Sequence, residues 1–160
     1  MSIRITKVHY NGERVKIEYK QTNPNTLGID SYTMEASDEP TVAFKESLEN
    51  LREHVANICE FDTHYAESIN PRGVSVSWNR GDNEIVSATV FAIRSVTQTH
   101  SPFNIHTPTV QFQKRMEEFP SLQLYLEAIE LLLTQAREYL AGERAQIELP
   151  FDGDASTDEE

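Results

Sequence analysis

The stretch Ile3-Arg4-Ile5-Thr6-Lys7-Val8-His9-Tyr10-Asn11-Gly12-Glu13-Arg14-Val15-Lys16-Ile17-Glu18-Tyr19 decides the fold class. Ile3, Ile5, Val8 and Tyr10 are spaced among polar residues up to Asn11-Gly12, and Val15, Ile17 and Tyr19 alternate after it. A period of two puts apolar side chains on one face of a strand. Asn-Gly tolerates the positive φ that a two-residue type I′ turn demands. The pattern predicts a β-hairpin with strands at 2–10 and 13–21.

Working outward, 21–28 with Asn23-Pro24-Asn25 reads as a loop and 29–36 as a third strand. Ser37-Asp38-Glu39-Pro40 has the cap-type residues, early negative charge and first-turn proline of a helix start. Phe44, Leu48, Leu51, Val55 and Ile58 then form one apolar helical stripe to Cys59. After a loop at 62–73, Val74, Val76 and Trp78 alternate into a turn at 79–83. The strand 84–96 carries apolar residues on both faces (Ile85, Thr89, Phe91, Ile93; Val86, Ala88, Val90), which predicts a place inside the sheet. Residues 100–113, with Pro102 and Pro108, read as an ordered crossing loop. Pro120-Ser121 opens a helix with the stripe Leu122, Leu126, Ile129, Leu133, Ala136 and Leu140, closed by Gly142. The order βββαββα predicts one α+β domain over 1–142, a mostly antiparallel sheet with helices packed on one face.

At 160 residues, 38% hydrophobic and 25% charged, the chain suits one globular core. It has no run long and apolar enough to span a membrane. The N-terminal residues alternate instead of forming an apolar signal region, so the expected place is the cytosol. The lone cysteine, Cys59, can form neither a disulfide within the chain nor a zinc site alone.

Charge bears on partners. All 14 basic and 21 of the 26 acidic residues precede Phe151, leaving −7 on the body of a chain whose net charge is −12. Asp152, Asp154, Asp158, Glu159 and Glu160 carry the rest. Nucleic-acid affinity comes mostly from Lys and Arg on phosphates. With no basic stripe along the chain, direct nucleic-acid binding is not expected, and the oligomeric state is left open.

Cys59, Glu60, Asp62 and His64 crowd one window, with His100 and His106 later. A metal site needs a second set of ligands at the right spacing, so a polar loop with Cys59 packed as a small hydrophobe is expected. No serine sits in a nucleophile elbow, and the glycines are too scattered for a phosphate loop. No catalytic residue, cofactor or metal is therefore expected. Trp78, Phe91, Tyr19 and Tyr32 alternate within strands and read as core aromatics rather than stacking platforms.

The character changes after Gly142. Gln146-Ile147-Glu148-Leu149-Pro150-Phe151 leads into nine residues too polar to offset ordering entropy, so 143–160 reads as a disordered acidic tail. Ile147, Leu149 and Phe151 gain nothing there unless they enter a pocket, either on a partner or on the domain's own surface. The segment resembles the Gln-x-x-Leu-x-Phe peptide by which bacterial polymerases and repair proteins bind the β sliding clamp. The resemblance makes Gln146 the motif glutamine, Leu149 its leucine and Phe151 its phenylalanine. It implies a docking peptide of Gln146, Ile147, Leu149, Pro150 and Phe151. Pro150 lies between the anchors, where the motif tolerates variety, and holds Leu149 extended. The acidic Pro-Phe tail also resembles the tip of single-stranded-DNA-binding proteins, but there the phenylalanine is terminal.

The hairpin around Tyr10-Asn11-Gly12, the run Tyr32-Thr33-Met34-Glu35-Ala36-Ser37-Asp38-Glu39-Pro40, Gly81-Asp82-Asn83-Glu84, and Gly142 to Gln146 resemble uncharacterised proteins of tailed phages and prophages. That resemblance implies genome replication in a bacterial host as the context, and no reaction. The expectation is a non-enzymatic phage-type accessory protein that docks on the host clamp and recruits to or modulates DNA replication. The alternatives are a small enzyme or DNA-processing factor localised by its tail, and an acidic DNA mimic.

Overall fold

A β-bulge accounts for the change of apolar phase between Ile5 and Val8. In the computed structural model, which describes residues 3–79, 81, 83–96 and 98–145, β1 (Ile3–Tyr10) pairs antiparallel with β2 (Val15–Thr22). The register slips between Ile5 and Lys7. The extra residue turns both Ile5 and Val8 inward, where each is fully buried. The hairpin exists, but its connection is the four-residue segment 11–14 and not a two-residue type I′ turn. Asn11 Oδ1 accepts from the Glu13 and Arg14 N–H groups at 2.8 Å each, and only Gly12 takes a positive φ, +97°. The asparagine side chain closes the turn together with a long main-chain bond, from the Asn11 N–H to Arg14 O at 3.4 Å. β3 (Ile29–Ala36) adds to β2 as an edge strand.

The first helix begins later than the sequence suggested. Thr41 Oγ1 accepts from the Phe44 N–H at 3.2 Å, so Thr41 caps α1 (Val42–Glu49) and Ser37 to Pro40 precede it. The Leu51 N–H bonds Leu48 O in a tightened turn, and α2 (Arg52–Ile58) follows. The stripe survives this break: Phe44, Leu48, Leu51 and Val55 are buried and Ile58 is half-buried. A 3-10 helix (Thr63–Ser68) leads to β4 (Ile69–Trp78), which takes in half of the expected 62–73 loop. Pro71 fits there because a register break follows it.

β5 (Ile85–Val96) lies between β4 and a divided edge. Residues 100–113 are not a crossing loop. β6 (Ser101–His106) pairs with the second half of β5, and β7 (Val110–Gln111) pairs with Ser87 and Ala88 on the same side. Thr107 joins the two, its N–H bonding Val90 O and its Oγ1 accepting from the Val90 N–H. After the short α3 (Phe112–Arg115), α4 (Ser121–Leu140) ends in a Schellman motif. Gly142, at φ +113°, donates to Tyr139 O, and Glu143 donates to Glu138 O. The buried face of α4 is Leu122, Tyr125, Ile129, Leu132, Leu133, Ala136 and Tyr139, turned from the expected stripe so that Leu126 and Leu140 are only half-buried.

The sheet runs β3-β2-β1-β4-β5-β6, antiparallel throughout, with β7 beside β6. α1 and α2 bridge β3 to β4, α4 packs on α1 and β1, and all the helices bury one sheet face. The result is an α+β fold, a mostly antiparallel sheet with helices on one side. No helix among the described residues is long and apolar enough to cross a membrane.

Candidate functional site

Cross-strand partners share a face, so the register defines what the uncovered side of the sheet presents. One row crosses six strands: Glu35, Lys16, His9, Gly73, Phe91 and His106, each paired with the next. A second row holds Thr33, Glu18, Lys7, Ser75 and Thr89. A third begins Ser31, Lys20, Arg4. Arg72 sits in the β4 register break beside the first row.

This face is therefore cationic on an acidic protein. Its carboxylates are Glu18, 3.7 Å from Lys16, and Glu35, 3.7 Å from Arg14. Among the described residues no carboxylate lies within ion-pair distance of Arg4, Lys7, Lys20 or Arg72. The helical segments 37–68 and 112–145 carry fourteen Asp and Glu against six Lys and Arg. The negative net charge belongs to the other side of the molecule and to the tail. No basic stripe exists along the chain, but strand pairing assembles one in space.

Gly73 shapes the centre of the face. A Cβ there would lie 2.1 Å from Val8 O, so the approach of β1 to β4 requires glycine. The row is left without a side chain between His9 and Phe91. A cavity of about 300 Å³ opens there, lined by Lys7, His9, Arg72, Phe91, Asn104 and His106. Lys7 Nζ stands 5.5 Å over the Phe91 ring, and His106 meets that ring edge-on at 4.9 Å. Burial lowers the His9 pKa, and Lys7, Arg72 and Lys16 lower it further through their charge. Arg72 Nε is buried without a hydrogen-bond partner. A second concavity, about 810 Å³, lies along Arg4, Lys20, Ile29 and Ser31. Phe91 is thus an aromatic of the open face and not of the core; Trp78 and Tyr19 do pack on the core, and Tyr32 stacks on Tyr19 at 5.3 Å while 43% exposed.

Cys59, Glu60, Asp62 and His64 remain a loop constellation. His64 Nδ1 lies 3.2 Å from Asp62 Oδ1 and its ring packs on Tyr65. Burial raises the Cys59 thiol pKa, which disfavours the thiolate that a ligand or nucleophile needs. Among the described residues no group of three or more His, Cys, Asp or Glu is placed to hold a metal ion. His54 is held below its ordinary pKa by burial, its ring against Tyr125 at 5.5 Å.

The expected docking peptide (Gln146, Ile147, Leu149, Pro150 and Phe151) lies outside the described residues. The described chain ends in a well-tied segment. The Ala145 N–H donates to Glu39 O at 2.8 Å, and the Arg144 guanidinium lies 3.5 Å over the Tyr139 ring and 3.3 Å from Asp38 Oδ2. Sequence reasoning missed the open face because its residues come from six strands whose order only the fold supplies. No family model, curated protein or solved structure matches this chain.

Proposed function

We propose that this chain is a non-enzymatic, phage-type accessory protein that docks on a bacterial β sliding clamp through Gln146 to Phe151 and recruits to or modulates DNA replication. The observation that carries the reading is the placement of the motif. Gln146 follows directly on Ala145, the residue whose backbone is still bonded to Glu39. The motif's attachment point is therefore held against the body, on an acidic helical layer.

Leu149 and Phe151 supply the affinity, burial of each contributing roughly 1.5–3 kcal/mol. With hydrogen bonds from Gln146 and the peptide main chain added, and less the cost of ordering the segment, a weak complex in the micromolar range or above is expected. Apolar anchors make it weakly salt-dependent. Titration of the clamp with a peptide spanning 144–154, beside the intact protein, tests the reading. Micromolar binding that Leu149→Ala with Phe151→Ala abolishes, at unchanged melting temperature, is expected; Gln146→Ala weakens it less. Absence of binding by both peptide and intact protein at several hundred micromolar, far above the affinity expected from two anchors, sinks it.

A further inference from the structure

The uncovered sheet face has three properties that point to one ligand class. Its charge is positive where the rest of the molecule is negative. Four cations, Arg4, Lys7, Lys20 and Arg72, have no carboxylate partner among the described residues, and the Arg72 Nε is buried without any acceptor. The cations are also spread and not gathered. Lys20 pairs with Arg4, Lys7 stands three residues further along β1, and Arg72 lies next to Gly73, the partner of His9; at about 3.3 Å per residue the set extends about 16 Å along β1, longer than a single phosphate or carboxylate needs. Finally, two of the cations, Lys7 and Arg72, border an aromatic corner. Phe91 and His106 meet beside Asn104 and Ile93, over a gap kept open by Gly73.

We infer that this face binds single-stranded nucleic acid, with phosphates along Lys20, Arg4, Lys7 and Arg72 and a base against Phe91 and His106. An extended polyanion answers the spread of charge, and unpaired bases answer the aromatic corner, since every base has a π-face. The Asn104 amide can donate to and accept from a base edge. A duplex hides its bases and offers this corner nothing. The acidic helices do not forbid the complex, because charges beyond about 8 Å are largely screened at physiological ionic strength.

The inference is independent of the clamp reading, and its test contains no clamp. Fluorescence anisotropy of a labelled oligothymidylate of about 20 nucleotides is followed against the full-length chain at increasing salt. Saturable binding is expected, with a log–log salt slope of about −3 as about four phosphate contacts require. Lys7→Glu with Arg72→Glu weakens it by about tenfold or more. Lys20→Glu, at an exposed position, gives a smaller loss and remains informative if the double variant fails to fold. Phe91→Leu weakens oligothymidylate binding several-fold while heparin binding stays unchanged. The inference is overturned by absence of binding at low salt, by unchanged affinity in the folded charge variants, or by equal loss of heparin binding in Phe91→Leu. Equal affinity for polyglutamate, or tighter binding of a duplex of the same length, overturns it as well.

Discussion

The Tyr139 hydroxyl donates a 2.6 Å hydrogen bond to the Asp38 main-chain oxygen, joining the last turn of α4 to the connection between β3 and α1. Arg144 covers the same ring and reaches the Asp38 carboxylate, and the next residue, Ala145, bonds back to Glu39. One tyrosine therefore holds two chain segments and the residues that directly precede Gln146.

Tyr139→Phe keeps the ring and removes the donor. The expected cost is about 1 kcal/mol, the usual net worth of one such bond. Arg144→Ala costs less than that overall, because its ion pair is partly solvated, but it frees residues 143–145. Denaturant midpoints read the first effect and hydrogen exchange at the Ala145 amide reads the second. If neither moves, this cluster does not anchor the root of the tail.

Leu51 is fully buried at the junction of α1 and α2, where the stripe that begins at Phe44 passes through a tightened turn. Leu51→Ala is expected to cost roughly 2–5 kcal/mol, the lost transfer energy plus the cavity left behind. A denaturant midpoint that hardly changes would mean the junction faces water.

The hairpin turn makes a sharper distinction. In a type I′ turn Asn11 would itself need a positive φ; here it contributes a side-chain acceptor, and Gly12 alone carries the strained angle. Asn11→Ala should then destabilise by about 1–2 kcal/mol through two unmet N–H groups partly rescued by water. Gly12→Ala should cost a similar amount, about 1–2 kcal/mol, from backbone conformation. Space is not the limit, since the nearest atom to a Cβ there is Arg72 Nη1 at 3.8 Å. An Asn11→Ala variant with wild-type stability would show that the Asn11 side chain does not hold the turn.

How far the fold could be read from the chain depends on how local each signal is. The hairpin, the first stripe and the α4 terminus are set by neighbouring residues, and all three were legible. β6 was not: its only buried residue is Ile105, and Pro102 argues against a strand. Its structure comes from backbone bonds to β5, which leave no periodic mark in an edge strand. The α4 stripe was read one step off because Tyr125 and Tyr139, polar-tipped residues, bury their rings as fully as the leucines do. Lys7, Lys20 and Arg72 are remote in sequence, so a basic face built from them is invisible until β1 is placed between β2 and β4. The proposed docking peptide is the opposite case, a reading that rests on contiguous residues and not on the fold.

Tyr125 gives the molecule a pH dependence with a defined sign. It is 1% exposed, packed against Phe112 and His54, and burial pushes its pKa from the ordinary 10.0 up to about 12. The Thr107 hydroxyl, which already accepts from Val90, is near enough to offset part of the rise but lies outside good hydrogen-bond geometry. Below the unfolded pKa both states keep the proton and stability is flat. Above it only the unfolded chain ionises, so stability falls as pH rises through the folded pKa. A shift of about two pKa units corresponds to about 3 kcal/mol lost by the time Tyr125 ionises in the folded state. Tyr139, also raised by burial, adds a loss of the same sign. Tyr125→Phe should be close to neutral near pH 8, because the hydroxyl it removes has no partner, and should lose less stability than the wild type on going to about pH 11. Urea midpoints for both proteins at the two pH values decide the matter: parallel losses would show that the Tyr125 hydroxyl reaches water in the folded protein.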